Sequence, residues 1–122
     1  MLKKILVVDD EELVRNYVRR ALSSRGYDVA AAVDGASAMA VIEKEDFDLA
    51  ICDLKMPDLR GEEVIRRLKA RRPLTRVIVI TGSVSDILNP IFPGLAVEGF
   101  LIKPFGINEI RDMVEKILKG RS

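Results

Sequence analysis

Apolar positions along the chain follow two different periods. Residues 5–8 (ILVV), 29–33 (VAAAV), 49–52 (LAIC), 77–80 (VIVI) and 100–102 (FLI) are short apolar runs. They lack the two-residue alternation of a strand with one wet face, so each is predicted to be a strand buried on both sides. Between them the spacing turns helical. Leu13, Val14, Tyr17, Val18, Ala21 and Leu22 form one stripe, and Ile107, Ile110, Met113, Val114, Ile117 and Leu118 form another. The punctuation agrees: Gly26 follows the first helix, Asp34 is a candidate cap for a helix from Ala36, Pro73 closes the helix holding Val64, Ile65 and Leu68, and Gly120 follows the last. Five β-α units with short connections predict an α/β domain, its parallel sheet covered on both faces. One stretch breaks the rhythm. In SVSDILNPIFPGLAVEG, from residue 83 to 99, Pro90, Pro93 and Gly94 interrupt any helix of normal length, so the fourth helix is expected to be short or distorted. The apolar set Ile87, Leu88, Ile91, Phe92 and Leu95 in that stretch fits either core or an exposed docking patch.

Length and composition narrow the picture. A chain of 122 residues, 48% hydrophobic, suits one domain spanning residues 1–122. Its 20 basic and 19 acidic residues are dispersed, giving +1 overall, so neither a nucleic-acid arm nor an acidic tail is present. Arg66, Arg67, Lys69, Arg71 and Arg72 share their helix with Glu62 and Glu63 and have no interleaved aromatics, which reads as a solvated face and excludes direct nucleic-acid binding. The apolar runs are strand-sized and no hydrophobic signal core precedes Ile5, so no membrane association is expected and a cytoplasmic location is. Cys52, the lone cysteine, sits inside an apolar run as a small core residue. The absence of histidine excludes Ser-His triads, zinc-hydrolase chemistry and a phosphohistidine carrier. Any phosphohistidine must come from another protein.

The chemistry lies at the carboxyl end of each strand: Asp9 and Asp10 after the first, Asp53 after the third, Thr81, Gly82 and Ser83 after the fourth, Lys103 and Pro104 after the fifth. Open parallel sheets bind ligands beyond the carboxyl ends of their strands, where the winding reverses. In a sheet of order 2-1-3-4-5 the reversal falls between strands 1 and 3, which would gather Asp9, Asp10 and Asp53, with Thr81 and Lys103 on the same rim. Neighbouring carboxylates repel by roughly 1–4 kcal/mol per pair at about 4 Å, so such a site calls for a proton or a cation. With oxygen donors alone the cation is a hard one such as Mg²⁺. A carboxylate beside Mg²⁺, a lysine and a hydroxyl are the components of phosphoryl transfer, with Asp53 able to attack phosphorus without a general base. Glu11 and Glu12 are assigned to the start of the next helix, where they favour its dipole.

These motifs, KILVVDDEE, DLAICDLKMPDLRGEEVIRRLK, VIVITG and GFLIKPF, resemble the receiver domain of bacterial two-component response regulators over the whole chain. The resemblance implies a flavodoxin-like (βα)5 doubly wound sheet, and the order 2-1-3-4-5 used above is taken from it. It implies that Asp53 is a phosphoacceptor served by a histidine kinase or a histidine phosphotransfer protein. Mg²⁺ would be bound by Asp10, Asp53 and the backbone carbonyl of Lys55, with Asp9 assisting through water. Thr81 and Lys103 match the switch hydroxyl and the phosphoryl-binding lysine, Phe100 the switch aromatic, and Lys103–Pro104 a cis peptide. Such a domain is no enzyme beyond accepting its own phosphoryl group and slowly releasing it. Lys55, two residues past Asp53, departs from the pattern by placing a potential cation near the phosphoryl group, and the proline-broken fourth helix alters the face used for dimerisation. Two other readings compete: a phosphorylation-independent interaction scaffold using residues 84–95, and a phosphatase of the haloacid dehalogenase class. The second needs an Asp-x-Asp pattern, but position 55 is lysine.

Overall fold

The five apolar runs become β1 (Lys4–Val8), β2 (Asp28–Ala32), β3 (Leu49–Asp53), β4 (Arg76–Thr81) and β5 (Gly99–Ile102) in a computed structural model that describes residues 2–85 and 96–119. They form one parallel sheet in the order β2-β1-β3-β4-β5, as expected for a doubly wound α/β domain. The helices among the described residues are α1 (Glu12–Ser23), α2 (Gly35–Lys44), α3 (Gly61–Arg71) and α4 (Ile107–Lys119). Pro90, Pro93 and the apolar set Ile87, Leu88, Ile91, Phe92 and Leu95, on which the expectation of a distorted helix between β4 and β5 rests, lie outside the described residues, as does Gly120.

The strands read as continuous apolar runs because both faces are covered. Ile5, Val7, Leu49, Ile51, Ile78 and Ile80 pack with Val18 and Leu22 of α1 and with Ile110 and Val114 of α4. Their neighbours Leu6, Val8, Ala50, Cys52, Val77 and Val79 pack with Ala38 and Ile42 of α2 and Val64, Ile65 and Leu68 of α3. Burying each of the larger aliphatic side chains is worth about 1.5–3 kcal/mol. Cys52 lies in this layer with its thiol pKa driven far above the ordinary range, by burial first and then by the Asp53 and Asp9 charges. No helix among the described residues is long and apolar enough to cross a membrane.

Two local details position the site. Register places Val8 opposite Cys52, Asp53 opposite Ile80 and Thr81 opposite Ile102, so the strands finish together along one rim. At that rim Gly61 lets α3 start directly behind β3: a Cβ there would collide with the Asp53 carbonyl oxygen and lie 2.6 Å from Leu54 Cα, and the Gly61 N–H donates to the Leu54 carbonyl at 3.0 Å. Asp34 caps α2, accepting from the Ser37 N–H at 2.8 Å in a capping box, which confirms its assignment and moves the helix start to Gly35. The α1 stripe is narrower than its sequence suggests. Val18, Ala21 and Leu22 are buried, whereas Leu13 is 84% exposed and Tyr17 40%. These two lie beyond the arc that meets the sheet and, with Phe105 and Ile107, line an open groove beside Lys103.

Candidate functional site

Asp9 leaves β1 without leaving the sheet. Its N–H continues the ladder to the Ala32 carbonyl at 3.2 Å, and its own carbonyl accepts from Arg15 Nη1 at 2.8 Å. These bonds turn its side chain into the rim, fully buried, where Oδ1 accepts the Glu11 N–H at 2.9 Å. Asp53 ends β3, 5% exposed, and its Oδ1 accepts the Lys55 N–H at 3.3 Å. Asp10, next to Asp9, is exposed, and one carboxylate oxygen from each of Asp9, Asp10 and Asp53 falls within 4.8 Å of the others. Lys103, just beyond β5, is anchored by its N–H on the Thr81 carbonyl at 2.8 Å. Its ammonium reaches Glu11 Oε1 at 2.6 Å, Asp9 Oδ2 at 3.0 Å and Asp53 Oδ2 at 3.2 Å.

Three carboxylates thus share the Lys103 ammonium, with the Asp10 carboxylate close by. Burial, opposed by the Glu11 N–H and Lys103 but reinforced by Asp53, leaves the Asp9 carboxyl above its ordinary value. For Lys103 burial pulls downward, yet Glu11, Asp9 and Asp53 together hold its ammonium well above the usual lysine range. Among the described residues, buried Asp9 Oδ2 receives no well-aligned hydrogen bond, only the ionic approach of Lys103 at 3.0 Å. A buried, under-satisfied oxygen among three converging carboxylates fits a hard divalent cation: every donor is oxygen, and added positive charge removes the repulsion. The cluster can therefore hold a metal ion.

The other expected residues take varied places. Thr81 is buried at the end of β4, where its Oγ1 accepts the Ser83 N–H at 3.1 Å and donates to the Ser83 carbonyl at 3.4 Å. Phe100 stands opposite Val79 in β5, half-buried against the α2/α3 layer. The Lys55 side chain is exposed at the rim, and Lys103–Pro104 is a cis peptide.

Three residues have roles that local sequence pattern does not reveal. Glu11, which the pattern assigns to the helix start alone, does occupy the N-cap position of α1, but its carboxylate lies on Lys103 and makes no cap hydrogen bond. Asp58, in the loop after β3, accepts the Gly35 and Ala36 N–H groups at 3.0 Å each and so ties that loop to the start of α2. Those bonds, Gly35 first, hold the Asp58 carboxyl below its ordinary range. Gly61 carries one weak signal, a lone glycine before an acidic first helical turn.

A family model described as the response regulator receiver domain matches residues 5–115. Sporulation initiation phosphotransferase F of Bacillus subtilis (strain 168) is 34% identical over 122 residues, covering 100% of this chain and 98% of that protein. Sensor kinase CckA of Brucella abortus (strain 2308) is 33% identical over 117 residues, 94% of this chain. The chain spans only 12% of CckA's length, and 50% of the length of the alkaline phosphatase synthesis transcriptional regulatory protein PhoP of Bacillus subtilis (strain 168). Among solved structures, a CheY-like receiver domain protein from Methanospirillum hungatei JF-1 has a TM-score of 0.89 at 29% identity, covering 98% of this chain and 96% of its own. Response regulator TrrA of Thermotoga maritima, in complex with Mg²⁺-BeF, has a TM-score of 0.85 at 28% identity, covering 95% and 99%. The chain, with its sheet order, its acidic strand ends and its rim lysine, belongs to the response regulator receiver domain family.

Proposed function

We propose that the domain is a phosphoacceptor switch in a two-component relay. The observation that carries this reading is the buried Asp53 carboxylate, with Lys103 Nζ 3.2 Å from Oδ2 and oxygens of Asp9 and Asp10 converging beside it. A histidine kinase or histidine phosphotransfer protein presents phosphohistidine, since this chain has no histidine. An Asp53 oxygen bonds to phosphorus as the phosphorus–nitrogen bond breaks; the electron pair leaves with the imidazole, which departs neutral when its other ring nitrogen carries a proton. Asp10, Asp53 and the Lys55 carbonyl, with Asp9 through water, would hold Mg²⁺, which when bound supplies positive charge to the phosphoryl oxygens. That a similar chain, TrrA, takes Mg²⁺-BeF supports the assignment.

Lys103 neutralises the incoming charge from its place on the rim. Thr81 donates to a phosphoryl oxygen once its hydroxyl turns from the Ser83 carbonyl, and that turn moves the residues after β4 and biases Phe100 on the neighbouring strand. The domain accepts and slowly releases its own phosphoryl group, in the cytoplasm, rather than turning over a substrate. Incubated with Mg²⁺ and acetyl phosphate, the wild type should gain one phosphoryl mass by intact mass spectrometry, and Asp53→Asn should gain none. A wild type that stays unmodified beside a reacting control receiver domain overturns the reading.

A further inference from the structure

Lys103 has three ammonium protons to give and three carboxylates around it. Among the described residues it hydrogen-bonds Glu11 Oε1 and Asp53 Oδ2, and it meets buried Asp9 Oδ2 as an ion pair at 3.0 Å. The shortest contact is the one to Glu11, the acid nearest solvent. Glu11 does not drift there: its N–H is fixed on Asp9 Oδ1, and its carbonyl accepts the Arg15 N–H at 3.1 Å. The outer acid thus competes with the two inner ones for the lysine, at the point where a phosphoryl group would need it.

We propose that Glu11 is a positioning residue that competes for the Lys103 ammonium and so slows the capture of a phosphoryl group at Asp53. The inference rests on the phosphoacceptor reading. Capturing the group means that Lys103 exchanges its Glu11 partner for a phosphoryl oxygen, and the Glu11 contact is lost in that exchange. Removing Glu11 takes away that competitor beforehand and leaves the lysine on Asp9 and Asp53. An exposed ion pair of this kind sets the size of the effect at about two- to fivefold in rate.

The experiment monitors phosphorylation of Asp53 by acetyl phosphate and Mg²⁺, in which an Asp53 oxygen bonds to phosphorus and acetate leaves with the electrons of the broken phosphorus–oxygen bond. Glu11→Gln should be phosphorylated about two- to fivefold faster than wild type and should bind Mg²⁺-beryllofluoride tighter by a similar factor. Glu12→Gln removes the same charge one residue further along α1, from an acid that is not on Lys103, and should leave both close to wild type. Glu11→Asp keeps the charge but withdraws it by one methylene, and should also react faster than wild type. Equal behaviour of Glu11→Gln and Glu12→Gln, or wild-type rates in both Glu11 variants, overturns the inference while leaving the phosphoacceptor reading intact. A wild type that takes up neither phosphoryl group nor beryllofluoride overturns both.

Discussion

The two ends of the sheet treat charge in opposite ways. At the amino ends of the strands several polar groups meet counterparts. Asp48 accepts the Lys4 N–H at 2.8 Å, buried Thr75 donates to the Phe47 carbonyl at 2.8 Å, and Arg72 donates to the Ile42 carbonyl while pairing with Asp46 at 2.9 Å. Lys4 pairs with Glu45, and Arg71 with Glu43. At the carboxyl ends three acids crowd Lys103 with Asp10 beside them, and among the described residues a buried Asp9 oxygen lacks a hydrogen bond. The same sheet therefore supports one end arranged for stability and another whose repulsion Lys103 relieves in part, with room for a further cation to relieve more. Like charges brought together in excess of their counter-charge mark the end where a ligand belongs.

Substitutions should expose the contrast through their signs. Thr75→Val at the satisfied end takes a donor from the buried Phe47 carbonyl and should destabilise the domain by about 2 kcal/mol in urea unfolding. Asp9→Asn at the crowded end should do the reverse. Without metal it should stabilise by roughly 1 kcal/mol, the low end of the repulsion between neighbouring carboxylates, because the asparagine oxygen can still accept from the Glu11 N–H. The pH dependence comes from the raised carboxyl of Asp9. A group that holds its proton more tightly when folded contributes stability in full below its unfolded value near 3.8, and loses it as pH rises through the higher folded value. The advantage of Asp9→Asn should thus be absent at the acid end of that window and grow above it. Mg²⁺ should narrow the gap by stabilising the wild type more than the variant. A destabilised metal-free Asp9→Asn domain would show that Lys103 fully compensates the buried charge.

The fold was legible because a strand buried on both faces leaves an unbroken apolar run, and the polar residue that ends the run marks the rim. Asp9, Asp53, Thr81 and Lys103 could be found that way, each from its own neighbourhood. The residues that local pattern misses act across the chain. Glu11 meets a lysine 92 positions away and Asp58 meets backbone 23 positions back, and no local period reports either contact. Gly61 is required by the approach of one backbone to another, which becomes visible only when α3 is set against β3. Leu13 and Tyr17 show the opposite error, since helical spacing gives the direction of an apolar stripe but not the width of the arc that the sheet will cover.

Asp58 tests the contrast at its smallest scale, because it sits beside the crowded end yet behaves like the satisfied one. Its carboxylate caps α2 through two N–H bonds, and those bonds hold its carboxyl below the ordinary value near 3.8. A depressed folded value stabilises the domain above the unfolded one, and that contribution is lost as pH falls through the folded value. Asp58→Asn keeps an acceptor but removes the charge, so wild type and variant should differ modestly at neutral pH and converge below about pH 3.8. Thermal unfolding across that range should show the convergence, in the direction opposite to Asp9→Asn, whose difference from wild type has the other sign and opens as pH rises above the same point. If Asp58→Asn matched wild type at every pH, Asp58 would hold the loop after β3 to α2 by hydrogen bonding alone. A persistent difference that vanishes in acid would instead show that the charge beside the rim strengthens the link between Asp53's own loop and the next helix.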